Sequence, residues 1–156
     1  MFCGMPKCSA IFRKANGRLM VRLKNLTKIM NLEKIINFHG FVPKHRDVIR
    51  LVKSSQIFCL PSAVEGFGIA TIEAMASGVP VVVADTPSNQ EVTQRKGALF
   101  FEPHNYRDLA QKIIYLLSHK NTYQRLTTQA VSAVKRYDWE IIYRQTEKLY
   151  ANLCAN

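Results

Sequence analysis

The sequence predicts an α/β fold built on an open, parallel, Rossmann-like sheet of about four strands with helices on both faces. Three observations predict it. Short apolar runs at residues 35–39, 56–60, 79–84 and 98–101 alternate with longer segments whose apolar residues recur at a period near 3.6. The run at 79–84 is apolar on both faces, as a strand covered by helices on both sides must be. Strands that alternate with helices need crossover connections, and crossovers make the sheet parallel.

Each element has its own signal. Residues 16–31 place Leu19, Met20, Leu23, Leu26, Ile29 and Met30 at helical spacing between basic residues, which reads as an amphipathic helix. After the strand at 35–39, Pro43 suits the first position of a helix, with Val48, Leu51 and Val52 as its buried stripe. Beyond the strand at 56–60, Pro61 and Ser62 open a loop that ends at Phe67-Gly68. A short helix with Ile69, Ile72 and Ala76 follows, and Gly78 and Pro80 stop it. Asn105 is a candidate cap for a helix carrying Leu109, Ile113, Leu116 and Leu117. Residues 121–137 read as a further helix. Asp138 caps the last one, whose Trp139, Tyr143 and Tyr150 are expected to form a packing face.

Length and composition bound the chain. The 156 residues suit a single domain. Apolar residues at 47% and charged residues at 21% are ordinary for a globular protein and argue against disorder. The segment at 1–14 carries no secretory pattern and no run is long enough to span a bilayer, so cytoplasmic residence is expected. Cys3, Cys8, Cys59 and Cys154 lack metal-site spacing. The four histidines form no i, i+4 pair with acids, and Asp-x-Asp does not occur, so no metal is expected. The net charge of +11 is uneven: residues 1–36 hold eight basic residues against Glu33 alone. Such a block attracts phosphate groups, including those of an anionic membrane surface, or is simply a solvated helix face.

The chemistry concentrates at residues 60–82, which run strand, loop, helix, strand. In an open parallel sheet ligands collect outside the carboxyl ends of strands, where this loop lies. Gly66 and Gly68 let the backbone approach a ligand. The following helix aims free N–H groups and its positive dipole end at the same place, which favours a diphosphate. Glu65 in the loop can accept hydrogen bonds from sugar hydroxyls, and Glu73 on the helix can reach a ribose diol. Taken alone, these four residues serve a tight turn and a solvated helix equally well.

The stretch resembles the signature of family-4 retaining glycosyltransferases of the GT-B fold: two glutamates separated by seven residues, the first followed by Gly-Phe-Gly and the second by Ala-Met-Ala and Gly-x-Pro. Glu65 and Glu73 keep that spacing. Phe38-His39-Gly40-Phe41-Val42-Pro43 resembles the strand and turn beside the nucleotide base, Glu91 resembles a later glutamate, and Asp138-Trp139-Glu140 resembles the start of the C-terminal helix. About residues 17–153 are covered.

The resemblance implies the donor-binding C-terminal half of a hexosyltransferase-like enzyme. Glu65 would contact the donor sugar as the catalytic carboxylate. Gly66, Phe67, Gly68 and Ile69 would bind sugar and diphosphate through the backbone, Glu73 would hold the ribose, and Gly40 and Glu91 would complete the donor site. The partner would be a nucleotide-diphosphate sugar, with no cofactor or metal and an acceptor that is a glycan, a lipid or a small molecule.

Two departures qualify it. Ser88-Asn89-Gln90 stands where the family often has Gly-Gly before Glu91. The first strands of the domain are expected to be missing, with residues 1–6 at most a stub. The acceptor domain and a cationic pair would be missing too, so the chain is expected to be a fragment without transferase activity of its own. A truncated sheet edge would favour self-association. The alternative is a non-catalytic module binding a nucleotide or a partner. A nucleic-acid role rests on charge alone and is not favoured.

Overall fold

The computed structural model describes residues 8–11 and 17–154. The chain's contacts cluster into two compact units, Met1–Val48 and Ile49–Asn156.

In the first unit, β1 (Cys8–Ile11) pairs in parallel with β2 (Ile36–Gly40), and α1 (Gly17–Ile29) lies between them in sequence. The strand at Cys8–Ile11 corrects the expectation that nothing but a stub precedes α1; residues 1–6 lie outside the described residues. Four residues of mixed polarity gave no periodicity to detect. Within α1, Thr27 is buried and Met20 and Leu23 are partly so, while Leu19, Val21, Leu26 and Ile29 are exposed. The register along β1 and β2 shifts between Ala10 and Ile11, ending on Gly40. Gly40 has φ +63°, a left-handed conformation that favours glycine.

Helix α2 (His45–Lys53) spans the boundary between the units. It starts two residues later than Pro43, because Lys44 provides the first carbonyl, accepting from Asp47 at 2.9 Å and Val48 at 3.4 Å.

The second unit holds a parallel sheet of β3 (Phe58–Leu60), β4 (Val81–Ala84) and β5 (Ala98–Phe101), in that order. β4 is central, and all four of its residues are buried. Val81 and Val83 pack with Ala74 and Met75 of α3 (Ile69–Ala76) and Ala130 and Val134 of α6 (Lys120–Val134). Val82 and Ala84 pack on the other side with Leu116 of α5 (Tyr106–Ser118) and Leu126 of α6. Alternate side chains point to opposite faces, so an unbroken apolar run is what a strand with two covered faces needs.

Asn105 caps α5 as expected, its side chain accepting from the Asp108 N–H at 3.0 Å. Asp138 accepts from Glu140 N at 2.9 Å at the start of α7 (Trp139–Cys154). Two findings differ from the sequence reading. Residues 87–93 form an additional helix, α4 (Pro87–Thr93), capped by the Thr86 hydroxyl with Pro87 in its first turn. α7, for its part, has no buried residue: Trp139, Tyr143 and Tyr150 are 84%, 61% and 65% exposed, so the expected packing face is corrected to an exposed one. Helical spacing of aromatics specifies a face, but another element has to cover it. No helix among the described residues is long and apolar enough to cross a membrane.

Candidate functional site

The candidate loop leaves the carboxyl end of β3 and enters α3 through Gly68, which has φ +86° and is buried. Its carbonyl accepts from Thr71 N at 2.9 Å and Ile72 N at 3.3 Å. The amides of Ile69 and Ala70 precede the first such bond, so they are the helix-start donors available to an anion. Gly66 serves differently. Its φ is not left-handed, and a Cβ there would meet nothing within 4 Å, so its bareness leaves room beside the backbone. A Cβ on Gly68 would contact Asn89 Oδ1 at 3.7 Å, Val92 Cγ2 at 3.7 Å and Thr71 Oγ1 at 3.9 Å, so Gly68 rests on α3 and α4.

The carboxylates sit on different supports. Glu65 is half-buried within the loop. Glu73 is half-buried on the second turn of α3, whose other side is anchored by the buried Thr71, Ala74 and Met75. Glu91 is exposed on α4 in the same unit, and Ile69 is exposed at the first position of α3. Glu65, Gly66, Phe67, Gly68, Ile69 and Glu73 therefore share one loop and helix, with Glu91 on the neighbouring α4. Gly40 ends β2 in the other unit.

Asn89, read in the sequence as part of a departure, is a structural hub. It is buried, its Nδ2 donates to the Ala84 carbonyl at the end of β4 at 2.9 Å, and its N–H donates to Thr86 Oγ1 at 3.3 Å. Its Oδ1 and the hydroxyl of Thr71 are buried without a hydrogen-bond partner among the described residues. Sequence reasoning also missed Arg136 and Tyr137, on a 3-10 turn (Lys135–Tyr137) that follows α6. The Tyr137 ring meets that of Phe67 edge to face, and Arg136 reaches the Glu91 carbonyl. No local pattern pairs residues seventy positions apart. Among the described residues no group of three or more His, Cys, Asp or Glu is placed to hold a metal ion.

Residues 2–132 match the family of glycosyl transferases group 1. The chain belongs to this family. It is 32% identical over 111 residues to the N,N'-diacetylbacillosaminyl-diphospho-undecaprenol alpha-1,3-N-acetylgalactosaminyltransferase of Campylobacter jejuni, covering 70% of this chain and 30% of that protein. Sucrose-phosphate synthase from Thermosynechococcus elongatus superposes with a TM-score of 0.82 at 25% identity, over 94% of this chain and 38% of that one. Anabaena HepE, solved in complex with UDP and glucose, gives a TM-score of 0.83 at 22% identity, over 94% of this chain and 40% of that one. This group 1 chain thus has the GT-B fold of glycosyltransferases and spans about a third of the length of the curated relatives it matches.

Proposed function

We propose that this group 1 glycosyltransferase chain binds the nucleotide-diphosphate sugar donor of a retaining glycosyl transfer through the loop between β3 and α3. The observation that carries the reading is the left-handed Gly68, which opens α3 with the Ile69 and Ala70 amides ahead of the first helical hydrogen bond and one carboxylate on each side. A diphosphate at those amides is stabilised by hydrogen bonds and by the helix dipole, and more so as the sugar departs and negative charge grows on it. Glu65 faces the sugar as the catalytic carboxylate, accepting from its hydroxyls; Glu73, one helical turn on, accepts from the ribose diol. Glu91 belongs to the donor site by the resemblance. The UDP and glucose held by the Anabaena protein are the chemistry this reading requires.

Calorimetry with UDP-glucose, GDP-mannose, ADP-glucose and the bare nucleoside diphosphates tests it. Saturable binding is expected. Glu65→Gln should weaken the sugar nucleotide about tenfold with little effect on the bare nucleotide, the loss of one charge-assisted hydrogen bond. Glu73→Ala should weaken both. Equal losses for both ligands with Glu65→Gln would remove Glu65 from the sugar, and no binding of any probe would end the proposal.

A further inference from the structure

Phe67 is the one side chain between Gly66 and Gly68, so it is the point at which packing can fix the loop. Phe67 is 43% exposed, and its ring meets that of Tyr137, with centroids 5.6 Å apart and planes at 87°. Ring quadrupoles favour this edge-to-face arrangement.

Tyr137 is held in turn. It packs against the core beneath β4. Its hydroxyl accepts from Arg136 Nη2 at 2.6 Å, and the guanidinium lies 4.7 Å from its ring centroid. The same Nη2 reaches the Glu91 carbonyl at 3.4 Å. The turn that links α6 to α7 therefore ties together two segments of the candidate site, the loop at Phe67 and α4 at Glu91.

We infer that Tyr137, braced by Arg136, is a positioning residue of the donor site: it sets where Phe67 sits and hence where the amides flanking it point. The inference rests on the donor-binding reading above. Its signature is selective. Glu73, which would hold the ribose, stands on α3, which is anchored by its buried Thr71, Ala74 and Met75. Loosening Phe67 disturbs the loop ahead of α3, which would hold the sugar, and leaves the amides and the ribose carboxylate on α3 in place.

The test uses the 156-residue chain and two probes: whichever of UDP-glucose, GDP-mannose and ADP-glucose binds tightest, and the matching nucleoside monophosphate. Tyr137→Ala is expected to raise the Kd of the sugar nucleotide roughly three- to tenfold, the range that one aromatic edge contact supports, and that of the monophosphate less than about twofold. Tyr137→Phe keeps the ring edge and is expected to recover most of the affinity. In a double-mutant cycle, adding Tyr137→Ala to Phe67→Ala should weaken binding no further, because Tyr137 acts through Phe67.

Unchanged sugar-nucleotide affinity in a folded Tyr137→Ala chain, additive losses in the cycle, or equal losses for both probes would overturn the inference. Should circular dichroism show Tyr137→Ala unfolded, Arg136→Met decides: a selective loss of about twofold supports the role, and none overturns it. If the unaltered chain binds no probe, the donor-binding reading itself fails. Binding that ignores Tyr137 removes only the positioning role.

Discussion

Thr71 and Thr93 are both fully buried in the second unit, yet their hydroxyls stand in different surroundings. Thr93 Oγ1 donates to the Asn89 carbonyl at 2.7 Å and accepts from Arg95 N at 3.2 Å, whereas Thr71 Oγ1 has no partner among the described residues. A buried hydroxyl without a hydrogen bond has lost its water and gained nothing, so replacing it by a methyl removes a penalty. Thr71→Val is therefore expected to leave stability unchanged or raise it by up to about 1 kcal/mol, while Thr93→Val lowers it by about 1 kcal/mol. Urea denaturation midpoints of the two variants check this. Equal losses in both would mean that Thr71 has a partner after all. The sequence placed Thr71 on the right helix, but it offered no sign that Thr71 and Asn89, eighteen positions apart, both lie beside Gly68.

At the scale of elements, the close approach of α6 to the start of β5 is set by one missing side chain. A Cβ on Gly97 would lie 2.3 Å from Ala130 N and 2.4 Å from Ala130 Cα, and Gly97 also has φ +69°. Gly97→Ala has to push α6 off the sheet, and a loss of at least about 3 kcal/mol is expected. Gly78→Ala is the control, since Gly78 has φ +73° but nothing within 4 Å of a Cβ. It meets only the backbone penalty, about 1–2 kcal/mol. Thermal unfolding of both variants separates the two causes, and similar losses would show that Ala130 yields. Most elements were legible locally: caps at Asn105 and Asp138, the stop at Gly78, and the apolar run of β4. α4 carried a readable signal in Thr86-Pro87, a cap followed by proline in the first turn. β1 carried none.

For the whole molecule, stability at high pH depends on a contact that spans 67 positions: the Tyr123 hydroxyl on α6 donates to the Gln56 carbonyl ahead of β3 at 2.8 Å. Burial raises the Tyr123 pKa above its ordinary value of 10.0. The folded state thus holds this proton more tightly than the unfolded chain. The contribution is complete below pH 10 and is lost as pH climbs from there through the folded-state pKa. Wild type is expected to exceed Tyr123→Phe by about 1 kcal/mol at pH 8, and the gap should close above about pH 10. Denaturation of both chains across that range measures it. A gap that stays constant through pH 11 would show that the phenol does not ionise there.

By itself, the sequence determined the alternation of strand and helix, the two-faced burial of β4, the chain's family, and a loop with Glu65, Gly66, Gly68 and Glu73 at the carboxyl end of a strand. The alternation, the buried strand and the place of the loop follow from periodicity, caps and spacing, which are properties of neighbouring residues; the family follows from the likeness of residues 60–82 to a known signature. Only the tertiary structure decided that Phe67 leans on Tyr137, that Asn89 and Thr71 lie buried against Gly68, and that the aromatic face of α7 is left uncovered. Packing between distant segments depends on which surfaces the fold brings together, and local spacing does not encode that choice.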